Sequence, residues 1–370
     1  MSVKPVKVGV VGCGNICGIY FETCPKFEIL EVVACADLVP ERAQAKAAEF
    51  SIPKACSVDE LLADPEIDIV LNLTIPNAHA AVAFAAVDAG KSVYNEKPLT
   101  ISRQDGMKLL RRASEKGVLV GCAPDTFLGA GLQTCRDVIN SGAIGTPVAA
   151  TAHMLCHGHE SWHPDPEFYY KVGGGPMFDM GPYYLTALIH LMGPVQQVAG
   201  IANITFPERT ITSEPKKGTT ITVDTPTHIA GLMNFANGAA GTVVTSFDVW
   251  AANMPLIEVY GTKGSLSVPD PNGFGGTVRF WQTDKRAWED VPVTRLYAEN
   301  SRGIGVADMA CALRTGRPHR ANGELAYHVL DIMHAFHDSS KDRTFVTLES
   351  TCSQPKTLPT DLPFGVLDCE

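Results

Sequence analysis

"VKVGVVGCGNICG", Val6 to Gly18, is the stretch that decides the fold. An apolar strand runs into glycines, and the residues after it read as a helix. Gly12-Cys13-Gly14-Asn15-Ile16-Cys17 stands in the place of G-x-G-x-x-G, with Cys17, followed by Gly18, at the third small position. A second strand, "ILEVVACAD", ends at Asp37, about 20 residues on, as a dinucleotide fingerprint requires. Each residue has a physical task. Gly12 makes the tight turn and Gly14 lets the backbone approach a pyrophosphate. Asn15 and Ile16 lead into a helix whose N-terminus favours the phosphate charge. Asp37 accepts hydrogen bonds from the adenosine ribose and repels a 2′-phosphate, which favours NAD over NADP. Arg42, in the next helix, pulls the other way.

Working outward, strand and helix signals alternate up to Asp125. "PERAQAKAAEF" is a helix opened by Pro40. Ser57-Val58-Asp59-Glu60 is a capping box. "IDIVLNLT" is a strand, and "HAAVAFAAVDAG" is a helix with Gly90 at its end. "SVYNEK" is a strand. A helix runs from Ser102 to Gly117, and "VLVGCA" is the last strand. Strands apolar on both faces, separated by helices, predict an α/β fold with a doubly wound parallel sheet, a Rossmann domain over residues 1–125. After Pro124 long alternating stretches take over, with tight turns at Asn237-Gly238 and Thr262-Lys263-Gly264. Residues 126–370 therefore read as a second α/β domain on a large, mostly antiparallel, open-faced sheet. Its helices are expected near 132–141, 179–192 and 303–338.

Composition bounds the partners. The 370 residues are 45% hydrophobic and 19% charged, with a net charge of −10, which disfavours binding to nucleic acid or an anionic membrane. "RTGRPHR", Arg314 to Arg320, is the dense basic cluster. It reads first as charges at a helix end and second as an anion site. Eleven cysteines occur without C-x-x-C pairs; Cys13, Cys35 and Cys122 lie in apolar runs as small hydrophobes. No apolar run reaches the ~18 residues of a membrane span, and no leader precedes the first strand, so a reduced cytoplasm is expected.

"NEKPL", Asn95 to Leu99, makes a resemblance specific. Glu96-Lys97-Pro98 after a strand, above this fingerprint, resembles the Gfo/Idh/MocA oxidoreductases, the glucose–fructose oxidoreductase and inositol dehydrogenase family. "TIPNAHAAVAFAAVDAGKSV", "INSGAIGTPVAA", "GGGPMFDMG" and "VYGTKGSL" extend it over most of residues 6–340. The resemblance implies cofactor contacts at Thr74, Ile75, Pro76, Asn77, His79, Glu96 and Lys97. It also implies a catalytic Lys97, an active-site Asp179, and a homodimer or homotetramer joined through the open sheet face. The family's catalytic histidine falls four residues after the aspartate, where this chain has Tyr183. Where many members carry Arg-Phe, this chain has Thr126-Phe127, preceded by Asp125.

Oxidising a secondary alcohol needs a hydride acceptor, a base and a donor for the developing alkoxide. Lys97 suits the donor. Tyr183 is a candidate base if cations lower its pKa from ~10, and an alternative is a packing tyrosine. Asp179 and Tyr183 would share a face on a continuous helix, but Pro182 either kinks that helix or starts a new one. The loop "HGHESWHPDP", His157 to Pro166, contains H-E-x-x-H, the zinc-hydrolase pattern. That pattern needs a helix, and Gly158, Pro164 and Pro166 oppose one, so no metal is expected. The loop instead reads as an overhang on the substrate. There His157, His159, Glu160 and His163 would bond hydroxyls, Trp162 would stack on a sugar face, and a histidine could take over as base. Asp125, Tyr169 and His319 are weaker candidates of the same kind. The expected reaction is NAD-dependent oxidation or reduction of a hydroxyl of a sugar, cyclitol or glycoside. Alternatives are an NAD-requiring glycosidase working by transient oxidation, and a non-catalytic NAD- and sugar-binding regulator.

Overall fold

In the computed structural model, which describes residues 4–369, the opening stretch forms β1 (Val6–Val11) and α1 (Cys17–Thr23). The chain continues through β2 (Leu30–Ala36), α2 (Pro40–Phe50), β3 (Lys54–Cys56), α3 (Val58–Ala63), β4 (Ile69–Asn72), α4 (Pro76–Asp88), β5 (Ser92–Asn95), α5 (Arg103–Lys116) and β6 (Val120–Cys122). These six strands pair in parallel in the order β3-β2-β1-β4-β5-β6. The order reverses between β1 and β4, and ligands bind at such a switch point, beyond the carboxyl ends of the strands. Local chemistry agrees with this layout. Ser57 and Glu60 close both bonds of the capping box on α3. Ser102 caps α5, and Gly117 ends it in the left-handed region. Short β3 was not legible, because only one of its residues is even half-buried.

The second region holds α6 (Ala130–Asn140), β7 (Pro147–Leu155), α7 (Gly175–Asp179), α8 (Gly181–Met192), β8 (Val195–Asn203), β9 (Glu208–Thr210), β10 (Thr220–Thr222), β11 (His228–Phe235), β12 (Ala240–Ser246), β13 (Ile257–Gly261), β14 (Gly264–Val268), β15 (Val278–Gln282), β16 (Ala287–Val291), α9 (Ile304–Thr315), α10 (Gly323–Asp342) and β17 (Val346–Thr347). Nine strands pair as β16-β15-β14-β13-β7-β12-β11-β8-β17, and only β7 and β12 run parallel. β9 and β10 form a separate ribbon. The expected helix near 179–192 is two helices. α7 stops at Asp179 and α8 starts at Gly181, with Pro182 in its first turn.

α8 is buried along its whole length between the large sheet and α10. α10 lies on β8 and reaches back to α5, joining the regions. Phe336 of α10 seats on the sheet because Gly200 and Gly231 carry no side chain there: a Cβ on Gly231 would stand 2.2 Å from the phenylalanine ring. Each large apolar side chain buried in this way contributes about 1.5–3 kcal/mol. On the opposite sheet face, where Val148, Ile201 and Leu232 are exposed, no helix packs among the described residues.

The arginines of the basic cluster are engaged within the chain. Arg314 bonds the carbonyls of Lys4 and Pro5, while Arg317 and Arg320 are occupied by Asp308 and Asp368. Cys311 and Cys369 pair as a disulfide, with their Cα atoms 4.6 Å apart. No helix among the described residues is long and apolar enough to cross a membrane.

Candidate active site

The cofactor half is built from backbone. Gly12 has φ +103°, and a Cβ there would meet the carbonyl of Leu73 at 2.7 Å, so only glycine lets β1 turn under the end of β4. A Cβ on Gly14 would meet nothing, which leaves room for a phosphate to approach the chain. The third small position is Cys17, fully buried with its Sγ 3.0 Å from the Gly14 carbonyl. No side chain caps α1, so its first N–H groups, after Asn15 and Ile16, are not taken by a cap. Asp37 accepts the N–H of Cys13 at 2.8 Å and of Val39 at 2.9 Å, which ties the glycine turn to the end of β2. Arg42 is exposed on α2. Across the groove, Ile75 is exposed at the start of α4, beside Pro76 and Asn77, and Thr74 donates to Asn72 at 2.7 Å. These features fit a bound dinucleotide.

His79 and Glu96 do their work one layer deeper than the resemblance implied. His79 is buried, with its ring nitrogens 2.9 Å from the Thr74 carbonyl and 2.7 Å from the Pro98 carbonyl. It ties the β4 loop to the Lys97 segment. Glu96 is buried too, accepting from the Tyr20 hydroxyl at 2.8 Å and the Lys97 N–H at 3.0 Å.

Lys97 leaves the end of β5 and crosses to the second region. Its Nζ donates to Asp179 Oδ1 at 2.8 Å and to the Asp179 carbonyl at 2.7 Å. The other carboxylate oxygen, Oδ2, lies 3.2 Å from His159 Nε2. Tyr183 stands with its ring 5.4 Å from the ammonium, and Arg302 lies beside its hydroxyl. The break between α7 and α8 leaves Asp179 and Tyr183 both beside Lys97 without a continuous helix. Burial favours the neutral lysine, but Asp179 and Tyr183 outweigh it, and the Lys97 pKa is raised. Burial likewise disfavours the Asp179 carboxylate, yet Lys97 and His159 bring its pKa down to about 2. For Tyr183, burial prevails and raises the pKa, although Lys97 and Arg302 work against it. The centre is therefore an ammonium–carboxylate pair beside a protonated phenol.

The loop after β7 separates its candidates. His159 alone of its histidines bonds Asp179. Its ring packs against Tyr169 at 4.3 Å and Trp162 at 5.3 Å. His163 lies next to Trp162 and Tyr169, and its Nδ1 accepts the Asp165 N–H at 3.0 Å. His157 turns away and stacks on Trp250 at 3.3 Å. Glu160 is not free to bond a ligand: Arg209 donates to it at 2.7 Å, and so does the Tyr170 hydroxyl. The segment forms turns and no helix, and the described residues contain no cluster of three metal-ligating side chains. Asp125 and His319 leave the substrate set. Asp125, 1% exposed, accepts the N–H groups of Gly303 and Gly305 at the start of α9. His319 is buried against the Val120 carbonyl. Arg302 and Arg209 escaped the sequence reading, because nothing local marks a residue whose partners lie so far along the chain.

Comparison with known proteins agrees with this architecture. Residues 6–123 match the model described as "Oxidoreductase family, NAD-binding Rossmann fold", and residues 132–267 match the GFO/IDH/MocA C-terminal domain. Myo-inositol 2-dehydrogenase of Thermotoga maritima is 23% identical over 93% of this chain and 99% of its own. Levoglucosan dehydrogenase of Pseudarthrobacter phenanthrenivorans is 25% identical over 67% of this chain and 66% of its own. Among solved structures, a levoglucosan dehydrogenase in complex with NADH superposes with a TM-score of 0.81 at 21% identity, covering 94% of this chain and all of the other. With both of its regions matched in order, the chain belongs to the Gfo/Idh/MocA family of NAD-binding oxidoreductases.

Proposed function

We propose that this enzyme moves a hydride between a hydroxyl-bearing carbon of a sugar, cyclitol or glycoside and NAD. Residues 1–125 would hold the cofactor and residues 126–370 the substrate. The observation that carries this reading is the bond from Lys97 to Asp179, which joins the edge of the cofactor sheet to the second region with Tyr183 alongside. Bound NAD supplies the hydride acceptor or donor. Gly12, Gly14, Asn15 and Ile16 cradle its phosphates, with Thr74, Ile75, Pro76 and Asn77 along the groove. Asp37 takes the ribose and disfavours a 2′-phosphate.

Lys97 donates to the substrate oxygen and stabilises the alkoxide that forms. Asp179 keeps the ammonium charged and aimed, and His159 fixes the carboxylate through its second oxygen. Tyr183, once ionised with its own proton released to solvent, accepts the hydroxyl proton. Lys97 and Arg302 are the cations that stabilise its phenolate, and the positive nicotinamide ring would add to them. The uncovered sheet face, with Val148, Ile201 and Leu232 outward, would be buried in a homo-oligomer. Sedimentation as a monomer at micromolar concentration would contradict that assembly.

The test of the activity is a panel of sugars, inositols and glycosides with NAD, following both NADH and released aglycone. NADH formation that needs Lys97 supports the reading. Aglycone release without net NADH would replace it with redox-assisted cleavage.

A further inference from the structure

We propose that the site continues beyond the reacting ring into an aromatic subsite made by Tyr169, Trp162, His163 and Phe168, which takes a planar, uncharged substituent, so that the substrate is an aryl glycoside rather than a free monosaccharide. This rests on the activity proposed above and specifies its substrate. Rings follow one another outward from Asp179. His159, bonded to that carboxylate, packs on Tyr169, whose ring lies 4.1 Å from that of Phe168. His163 fills the space between Trp162 and Phe168, at 5.3 Å and 5.4 Å. Near Asp179 the rings are half-buried, but at the outer end Trp162 is 60% and Phe168 48% exposed. A contiguous apolar surface that starts at a reactive centre and opens to solvent marks a binding surface, whereas isolated exposed apolar residues do not.

The surface is also held rigid. Glu160 anchors the loop to Arg209, and Arg209 in turn bonds Asp248. Ser213 donates to the His163 carbonyl at 2.5 Å, and Lys216 bridges Asp165 and Glu167 at 2.8 and 2.6 Å. The loop that presents the aromatic rings is thus braced, which reduces the ordering cost on binding. The charges near the rim are already paired with one another, which leaves stacking as the available interaction. Burial lowers the His163 pKa, so at neutral pH this ring, too, is uncharged. Tyr169 spans the two parts, since its hydroxyl feels the charges of Asp179 and Lys97 while its ring belongs to the stack.

The experiment compares methyl and 4-nitrophenyl glycosides of the same sugar, over several sugars in both anomeric forms. It reads kcat/KM with NAD, and binding to the enzyme–NADH complex by fluorescence quenching. Two stacking contacts predict at least a ~5-fold preference for the aryl partner. Trp162→Ala and Phe168→Ala should each shrink that ratio, and Trp162→Phe should restore most of it. Both side chains are exposed, so the fold does not depend on them. A ratio near one in the wild type, in turnover and in binding, would overturn the subsite. Tighter binding of the aryl glycosides with no NADH from any compound would retain the subsite and overturn the proposed reaction.

Discussion

The two halves of the site are built from different materials. The cofactor half is a backbone construction: a glycine turn, an uncapped helix start and a carboxylate that braces the turn, all within the first two strand–helix units. The substrate half is made of side chains delivered from β5, from the junction of α7 and α8, from the loop after β7 and from the segment before α9. Backbone constructions tolerate few residue types at a few positions. Side-chain constructions tolerate exchange, provided the charges still balance. On the roles proposed above, that contrast would let Tyr183 stand where the resemblance implies a histidine, with Lys97 and Asp179 kept.

The comparison can be broken by mutations that should affect one half and spare the other. Lys97→Ala should have the largest effect, lowering kcat by roughly 10²–10³-fold, because it removes the alkoxide's donor and a cation beside Tyr183. Tyr183→Phe should cost roughly 100-fold with NAD affinity nearly unchanged. Because burial raises the Tyr183 pKa, wild-type kcat for oxidation should climb as pH rises above neutrality, and the variant should lose that climb. Near-normal turnover in Tyr183→Phe would move the base to the loop and make Tyr183 a packing residue.

Gly12→Ala should do the reverse. The contact with Leu73 strains the turn, and NAD affinity measured by fluorescence should fall by more than about 10-fold. Unchanged affinity would show that the turn yields. Within the loop, His159→Asn should lower kcat by about 10-fold, by loosening Asp179, whereas His163→Asn should raise KM. The opposite pattern would reverse their assignments. Asp37→Ser should narrow a several-fold preference for NAD over NADP, and a wild-type preference for NADP would show that Arg42 prevails.

A further contrast between the regions concerns acid stability. Burial lowers the pKa of His190 to about 3, and of His328 and His337 to about 4. All three lie in α8 and α10 of the second region. Their folded values lie below the unfolded ~6.5, so the unfolded chain binds more protons, and their contribution is lost as pH falls from about 6.5 toward 4. Asp125, raised to about 6 by burial, acts in the opposite direction over part of that range. The Tm should therefore fall between pH 6.5 and 4. A flat profile would show that these groups compensate one another.

What could be known from the sequence alone follows from interactions between near neighbours. The strand, the turn at Gly12 and Gly14, Asp37 at the end of β2, the capping box of α3 and the hairpin at Asn237-Gly238 each depend on a few adjacent residues. Their backbone geometry follows from steric limits and local hydrogen bonds. Lys97, Asp179 and Tyr183 were named by resemblance, which marks positions without giving distances. Only the tertiary structure decided that His159, and neither His157 nor His163, reaches Asp179, and that Glu160 is spent on Arg209. It also decided that Asp125 braces α9, and that Arg302 stands at the Tyr183 hydroxyl. These are contacts between side chains far apart in the chain, fixed by how α8, α9 and the large sheet pack. The same charged or aromatic residue could equally have faced solvent, because nothing in its local sequence sets its partner.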